Sequence, residues 1–483
     1  MDEIASLSAT EMRHHISAGE LSPVEVVEAC LARIERYDGL INAVVTLSDR
    51  ALDDAKELEG QRSEIGPLHG LPVGIKDVTP VAGLRTTFGS PLYADFVPDE
   101  DAIIVRRLRE AGAVILGKTN TPEFAAGGNT FNEVFGRTLN PWDPERSAGG
   151  STGGGAAALA TGMIALAQGT DLGGSLRIPA SFCGTVGLRP SVGLVPAYPS
   201  DYIWDTFQVT GPMARTAEDV ALMLSAVSGT STDSPIASPD QGQDLSEVVN
   251  AGIKKHLRVA YCPDTVGIGI DAEIEGVCRS AAFELAQIGA HVEEVDLDLA
   301  FGREAFLALR GLWMVAHQYE RLDKMEHFGP NVAGNVKAGL EVTMKELAAA
   351  EHARGRIWHI FQQFFESFDH LVTPCMAVPP FPAEQNYPET VAGKPMETYI
   401  DWLAPTFVLS LTGLPVASVP CGLDGAGLPV GLQIVGKPFG EGSVLALAKQ
   451  LQDLHPIGTP PLAELDEHVR AFSEGNRISK PTK

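Results

Sequence analysis

Basic side chains are in short supply: 36 lysines and arginines stand against 62 aspartates and glutamates, a formal charge of −26 over 483 residues. A surface of that sign repels phosphate backbones and anionic headgroups, which argues against nucleic acid and membrane partners and leaves small neutral molecules. Cysteine is scarce as well. Cys30, Cys183, Cys262, Cys278, Cys375 and Cys421 are scattered, with no CxxC pair and no histidine at zinc-ligand spacing. Neither a disulfide framework nor a metal site is expected, and reduced thiols fit a cytoplasmic protein. Long apolar runs are missing too: the best candidate, 152–167, is mostly glycine and alanine. The opening "MDEIASLSATEM" is acidic where a secretory signal would be basic, so a soluble cytoplasmic chain is the expectation.

What is present suffices for a large core, since 44% of the residues are hydrophobic. "SATE" and "SPVE" are capping boxes, with Ser8 and Glu11, then Ser22 and Glu25, opening two helices. "LPVGIKD", "DAIIVRRLREAG" and "AVILGKTN" form a β-α-β pattern, and "LRVAYCPD" begins a second one that ends at "AHVEEVDLD". Helices are expected to fill 303–370, and "PVASVPCGLDGAGLPVGLQIVG" reads as two strands around a glycine turn. These elements predict an α/β fold, a mixed and largely parallel twisted sheet with helices on both faces, in a single domain. Its parts are a helical arm over 1–65, a core over 66–228, an α/β and helical portion over 250–370, and a closing hairpin and helix over 371–483. A polar linker separates the core from the next portion.

The stretch 147–180, "SAGGSTGGGAAALATGMIALAQGTDLGGSLRIPA", interleaves glycine with Ser147, Ser151 and Ser175. A buried glycine-alanine helix against a sheet would explain part of it. A phosphate loop would not, because neither GxxxxGK[ST] nor a strand-borne GxGxxG occurs. Two serines on separate glycine turns that meet at a substrate is the third reading. A Ser-His-Asp triad lacks support: none of the 12 histidines lies in this stretch, GxSxG is absent around Ser175, and SxxK is absent around both serines. Lys76, leaving the apolar strand of "PVGIKD", is the alternative base, since burial favours a neutral amine. The competing reading is a surface lysine paired with Asp77.

Taken together, "PLHGLPVGIKD", "LGKTNTPEF", "GRTLNPWDPERSAGGSTGGGAAALATG", "GTDLGGSLRIPASFCGTVGLRPSVG" and "PVASVPCGLDGAGLPVGLQIVGKPF" resemble the amidase signature family of serine hydrolases. The resemblance runs through roughly residues 10 to 455. It implies a Ser-Ser-Lys triad: Ser175 as nucleophile, Ser151 as bridging serine in a cis peptide with Gly150, and Lys76 as base. It also implies an oxyanion hole from the backbone N–H groups of Leu172, Gly173, Gly174 and Ser175. Asp171 and Arg177 would brace the loop as a pair. Thr152 stands where many relatives carry a second serine, and Asp77 would orient backbone. The activity implied is hydrolysis of a small neutral amide with no metal or organic cofactor. The A subunit of glutamyl-tRNA(Gln) amidotransferase, a glutaminase, shares the core and is the alternative, although Leu172 and Ile178 replace the threonine and glutamine of its pattern. Trp204, Trp313 and Trp402 are candidates for an acyl pocket and equally for core. Oligomeric state leaves no signal, with a homodimer as the default.

Overall fold

The local signals at the N-terminus are realised in full. Ser8 and Ser22 accept hydrogen bonds from the N–H groups of Glu11 and Glu25, whose carboxylates accept from the two cap N–H groups in return. They open the helices Ala9–Ala18 and Pro23–Ile41, the second of which buries Val26, Val27, Cys30 and Ile34 along one stripe. The computed structural model describes all residues except 60–65, 240, 241, 243, 254, 255 and 479–483. The end of the expected arm, part of the expected linker and the extreme C-terminus therefore lie outside the described residues.

Eleven strands form one sheet: β1 (Val44–Leu47), β2 (Pro72–Lys76), β3 (Val114–Thr119), β4 (Leu166–Asp171), β5 (Val186–Arg189), β6 (Val209–Ala214), β7 (Arg258–Tyr261), β8 (His291–Glu294), β9 (His370–Pro374), β10 (Val416–Leu423) and β11 (Pro429–Val435). Their spatial order is β1-β3-β2-β4-β6-β5-β10-β11-β9-β7-β8. The sheet is mixed, as expected, but its parallel share is smaller than the β-α-β patterns suggest. Only β3-β2-β4 and β9-β7-β8 run parallel. The pairings between these groups are antiparallel, because short connections such as the turn between β10 and β11 reverse the chain.

Side chains alternate between two cores. Val259 and Tyr261 of β7 join one, with Leu224 and Leu445 from the helices Ala217–Val227 and Glu441–Leu454. Ala260 faces the other, with Phe306 and Phe361. On that side lie α1 (Gly153–Ala160), α2 (Arg177–Cys183), α3 (Gly302–His317), α4 (Pro330–Glu341) and α5 (Met344–Ser367). The six cysteines are buried and unbridged. No helix among the described residues is long and apolar enough to cross a membrane.

Glycine matters where backbones touch. A Cβ on Gly187 of β5 would lie 2.2 Å from the Leu176 carbonyl oxygen, so β5 can pass under the loop preceding α2 only without a side chain. Gly39, in the helix Pro23–Ile41, has open space around it. Gly39→Ala is expected to raise the apparent thermal midpoint, by at most ~1 kcal/mol of stability, through helix propensity. Gly187→Ala is expected to lower it by ~1–3 kcal/mol or more, because a backbone atom must move. Thermal denaturation of the two variants side by side checks both signs.

Candidate active site

Strands β2 and β4 run parallel and adjacent, with Ile75 beside Gln168, so residues leaving their C-terminal ends share one edge of the sheet. Ligands of open α/β sheets bind at such edges. Lys76 closes β2 and is fully buried, which rules out the reading of a surface lysine. Its Nζ lies 2.6 Å from Ser151 Oγ and 2.9 Å from Thr170 Oγ1. Burial drives its pKa down to about 7, with the Asp171 charge pulling weakly the other way. The amine is therefore a neutral base in reach of a hydroxyl near neutral pH.

The serines occupy two turns that touch. Ser151 is buried and follows a cis peptide bond from Gly150. A Cβ on Gly150 would lie 2.9 Å from the Gly128 backbone carbon. Ser175 is half-buried, between β4 and α2, and its carbonyl accepts a hydrogen bond from Thr152 N–H at 3.2 Å, which ties the turns together. Gly174 has a φ of +121°, and a Cβ there would meet Thr406 Oγ1 at 2.4 Å, so the turn requires glycine. The Thr152 hydroxyl is buried without a partner among the described residues.

Asp171 organises the turn that carries Ser175. Its carboxylate accepts from Gly174 N–H (2.8 Å), Leu176 N–H (3.2 Å), and Arg177 Nε and Nη2 (3.0 Å each). Arg189 adds a second guanidinium at 3.5 Å. Burial pushes the Asp171 carboxyl up, but the two arginines and these hydrogen bonds outweigh it and hold the pKa at about 2. One expectation is corrected here: the Gly174 N–H is held by Asp171 and cannot face an oxyanion. The N–H groups of Leu172, Gly173 and Ser175 have no such partner among the described residues. Asp77 does orient backbone, accepting from Thr87 N–H at 3.1 Å. Its charge partner is the buried Lys118, 3.9 Å away, and not Lys76.

Thr170 opens onto a cavity of about 360 Å³ whose wall includes Phe88, Tyr93, Phe124, Trp313, His317 and Arg321. Phe88, Phe124 and Ala125 hold left-handed backbone there, with φ of 54°, 45° and 59°, a concentration of strain typical of working sites. Of the three tryptophans singled out, Trp313 lines this cavity, its Nε1 donating to Asp205 at 2.6 Å. Trp402 is packed against Phe182 and Phe381 in the core, and Trp204 is 64% exposed.

Sequence reasoning missed Thr170, Gln168 and Arg189. Gln168 accepts from the Lys76 backbone N–H at 3.2 Å and holds β2 against β4. A signal existed: Gln168 and Thr170 sit two apart in a strand otherwise suited to full burial, so one face had to be polar. Arg189 lies in β5 and meets Asp171 only through sheet order.

A family model described as Amidase matches residues 25–445. The chain is 36% identical to an acylamidase of Rhodococcus erythropolis, over 93% of this chain and 96% of that one. It is 35% identical to the A subunit of the glutamyl-tRNA(Gln) amidotransferase of Moorella thermoacetica, over 92% and 96%. Among solved structures it is similar to a bacterial aryl acylamidase (TM-score 0.86, 26% identity, 99% of both chains). It is also similar to 6-aminohexanoate cyclic dimer hydrolase complexed with substrate (TM-score 0.83, 28% identity, 94% and 99%).

The Asp171 network makes a definite demand on stability. Removing its carboxylate leaves Arg177 and Arg189 buried with uncompensated charge, a loss of ~3–5 kcal/mol. Asp171→Ala is expected to lower the unfolding midpoint far more than the alanine substitution of an exposed ion-pair carboxylate, and calorimetry of purified variants checks it.

Proposed function

As a member of the amidase signature family the chain hydrolyses amides, and we propose that it does so through an acyl-enzyme on Ser175, with Ser151 and Lys76 as the proton path. The observation that carries this reading is the buried Lys76 amine 2.6 Å from Ser151 Oγ, with its pKa brought down to about 7. Neutral Lys76 takes the Ser151 proton as Ser151 takes that of Ser175, and the Ser175 oxygen adds to the amide carbon. The negative charge that develops on the substrate oxygen is met by the N–H groups of Leu172, Gly173 and Ser175. Collapse of the tetrahedral intermediate needs a proton on the departing nitrogen, since an amide anion is a very poor leaving group. Protonated Lys76 returns it through Ser151, and water then repeats the sequence on the acyl-serine.

The aromatic wall beside Thr170 supports a neutral substrate with an aryl or other apolar group, a reading in keeping with the similarity to an acylamidase and an aryl acylamidase. The similarity to amidotransferase A subunits favours a second reading, glutaminase within a complex. The cavity speaks against it: Arg321 is already paired with Asp201 at 2.6 Å, which leaves that cation poorly placed for the carboxylate of glutamine.

A fluorophosphonate probe is expected to add one label, at Ser175, and Ser175→Ala is expected to abolish label and acetanilide turnover together. Mass spectrometry that placed the adduct on another residue would refute the nucleophile, and faster hydrolysis of glutamine than of acetanilide would favour the glutaminase. The sign of the pH dependence follows from Lys76, whose neutral form is the active one. kcat/KM is expected to rise about tenfold per pH unit below pH 7 and to level off above it. A maximum near pH 5 in the measured profile would exclude a lysine base.

A further inference from the structure

A second cavity, larger than the one beside Thr170, lies elsewhere in the fold. A groove of about 810 Å³ runs between α3, α4 and α5 and the segment 398–400, and it shares no lining residue with the candidate active site. Its walls are mainly apolar, with Ala308, Gly311, Val342, Ala350 and Ala353 among them. A volume of this size suits a small organic molecule.

Arg310 breaks the apolar lining. It is only 8% exposed, and no carboxylate lies within ion-pair distance of it among the described residues. A buried cation of this kind ordinarily has an anionic partner. The glutamates nearest in the lining are otherwise placed: Glu304 pairs with Arg303 at the surface, Glu346 caps α5 through Thr343, and Glu341 is exposed at the rim.

The hydrogen-bond balance of the cluster points the same way. Arg310 Nη1 donates to Asn335 Oδ1, and its Nη2 donates to the Tyr399 hydroxyl oxygen at 2.6 Å. Because a guanidinium can only donate, the orientation of the Asn335 amide is fixed, and its Nδ2 donates to Asn331 O and to the same Tyr399 oxygen. Both lone pairs of that oxygen are thus engaged, and the phenolic proton has no acceptor among the described residues. Arg310 Nε has none either. The groove therefore presents one buried positive charge and at least two idle donors, with an apolar wall beside them, while the second arginine of its lining, Arg356, is exposed and stacked over the Phe301 ring. One charge and one planar fork match a carboxylate.

We propose that this groove is a second binding site, for a monocarboxylate with an apolar alkyl or arylalkyl body. Its carboxylate accepts from Arg310 and from the Tyr399 hydroxyl, and its body lies along the small residues of α3 and α5. The site stands apart from Ser175 and does not depend on how amide hydrolysis proceeds.

Octanoate titrated calorimetrically into the intact protein is expected to bind saturably at one site, with 1-octanol and acetate each bound at least tenfold more weakly. Tyr399→Phe keeps the ring and Arg310 but removes the idle proton, and is expected to weaken octanoate about tenfold while leaving 1-octanol unchanged. Arg310→Met is expected to remove the preference for octanoate over 1-octanol. Gly334 lines the groove and a Cβ there meets nothing within 4 Å, so Gly334→Trp is expected to fill the groove and abolish binding, with an unchanged thermal midpoint confirming the fold. Absence of saturable octanoate binding, equal affinity for 1-octanol, or octanoate binding insensitive to both Tyr399→Phe and Gly334→Trp would each overturn the proposal.

Discussion

A lysine amine shut away from water is the constraint around which this protein is arranged. Lys76 closes a strand every residue of which is buried, and no hydration shell remains to support an ammonium ion. Two hydroxyls, on Ser151 and Thr170, stand in for that shell at hydrogen-bond distance, and they suit a neutral amine as well as a charged one. A carboxylate in direct contact would have raised the pKa again. Asp171, whose charge does act on Lys76, is instead claimed by two guanidiniums and two backbone N–H groups, so its pull on Lys76 is small against the effect of burial.

The same carboxylate links charge balance to shape. By accepting from Gly174 and Leu176 N–H it folds the turn that carries Ser175, and Gly174 can take that shape only because it has no side chain. Arg177 extends the bracing to Thr406, Ser410 and Gln433, residues more than 200 positions away along the chain. The turn that carries Ser175 is thus held both by Asp171 beside it and by residues remote along the chain. If Ser175 is the nucleophile proposed above, small errors in its position are expensive, which gives a physical reason for so much polar material in a dry interior.

Helix α3 divides two environments. One face brings Trp313 and His317 to the cavity beside Thr170. The other brings Ala308 and Gly311 to the larger groove, with Arg310 reaching into it. Small residues on that second face, and Gly311 packed against Gly339 of α4, keep the helices close while leaving the groove open.

By itself the sequence determined what depends on near neighbours. Ser8 and Ser22 announce their helices because a cap needs only three residues of context, and the strand at Lys76 is legible from a short apolar run. The glycines around Ser151 and Ser175 declare tight turns, because few other residues take such dihedrals. What distant segments do to one another was decided by the tertiary structure. Gly174 reads as a free oxyanion donor until Asp171 is seen to hold its N–H. Thr170 becomes a partner of Lys76 only because β2 and β4 pair in register, and Asp77 turns to Lys118 because a strand alternates its side chains between two faces. Trp204, Trp313 and Trp402 look alike in the sequence, and the packing of the sheet alone sends one to solvent, one to a cavity wall and one to the core. Hydrogen bonds and burial between remote residues act over a few ångströms in space, and chain separation does not encode that distance.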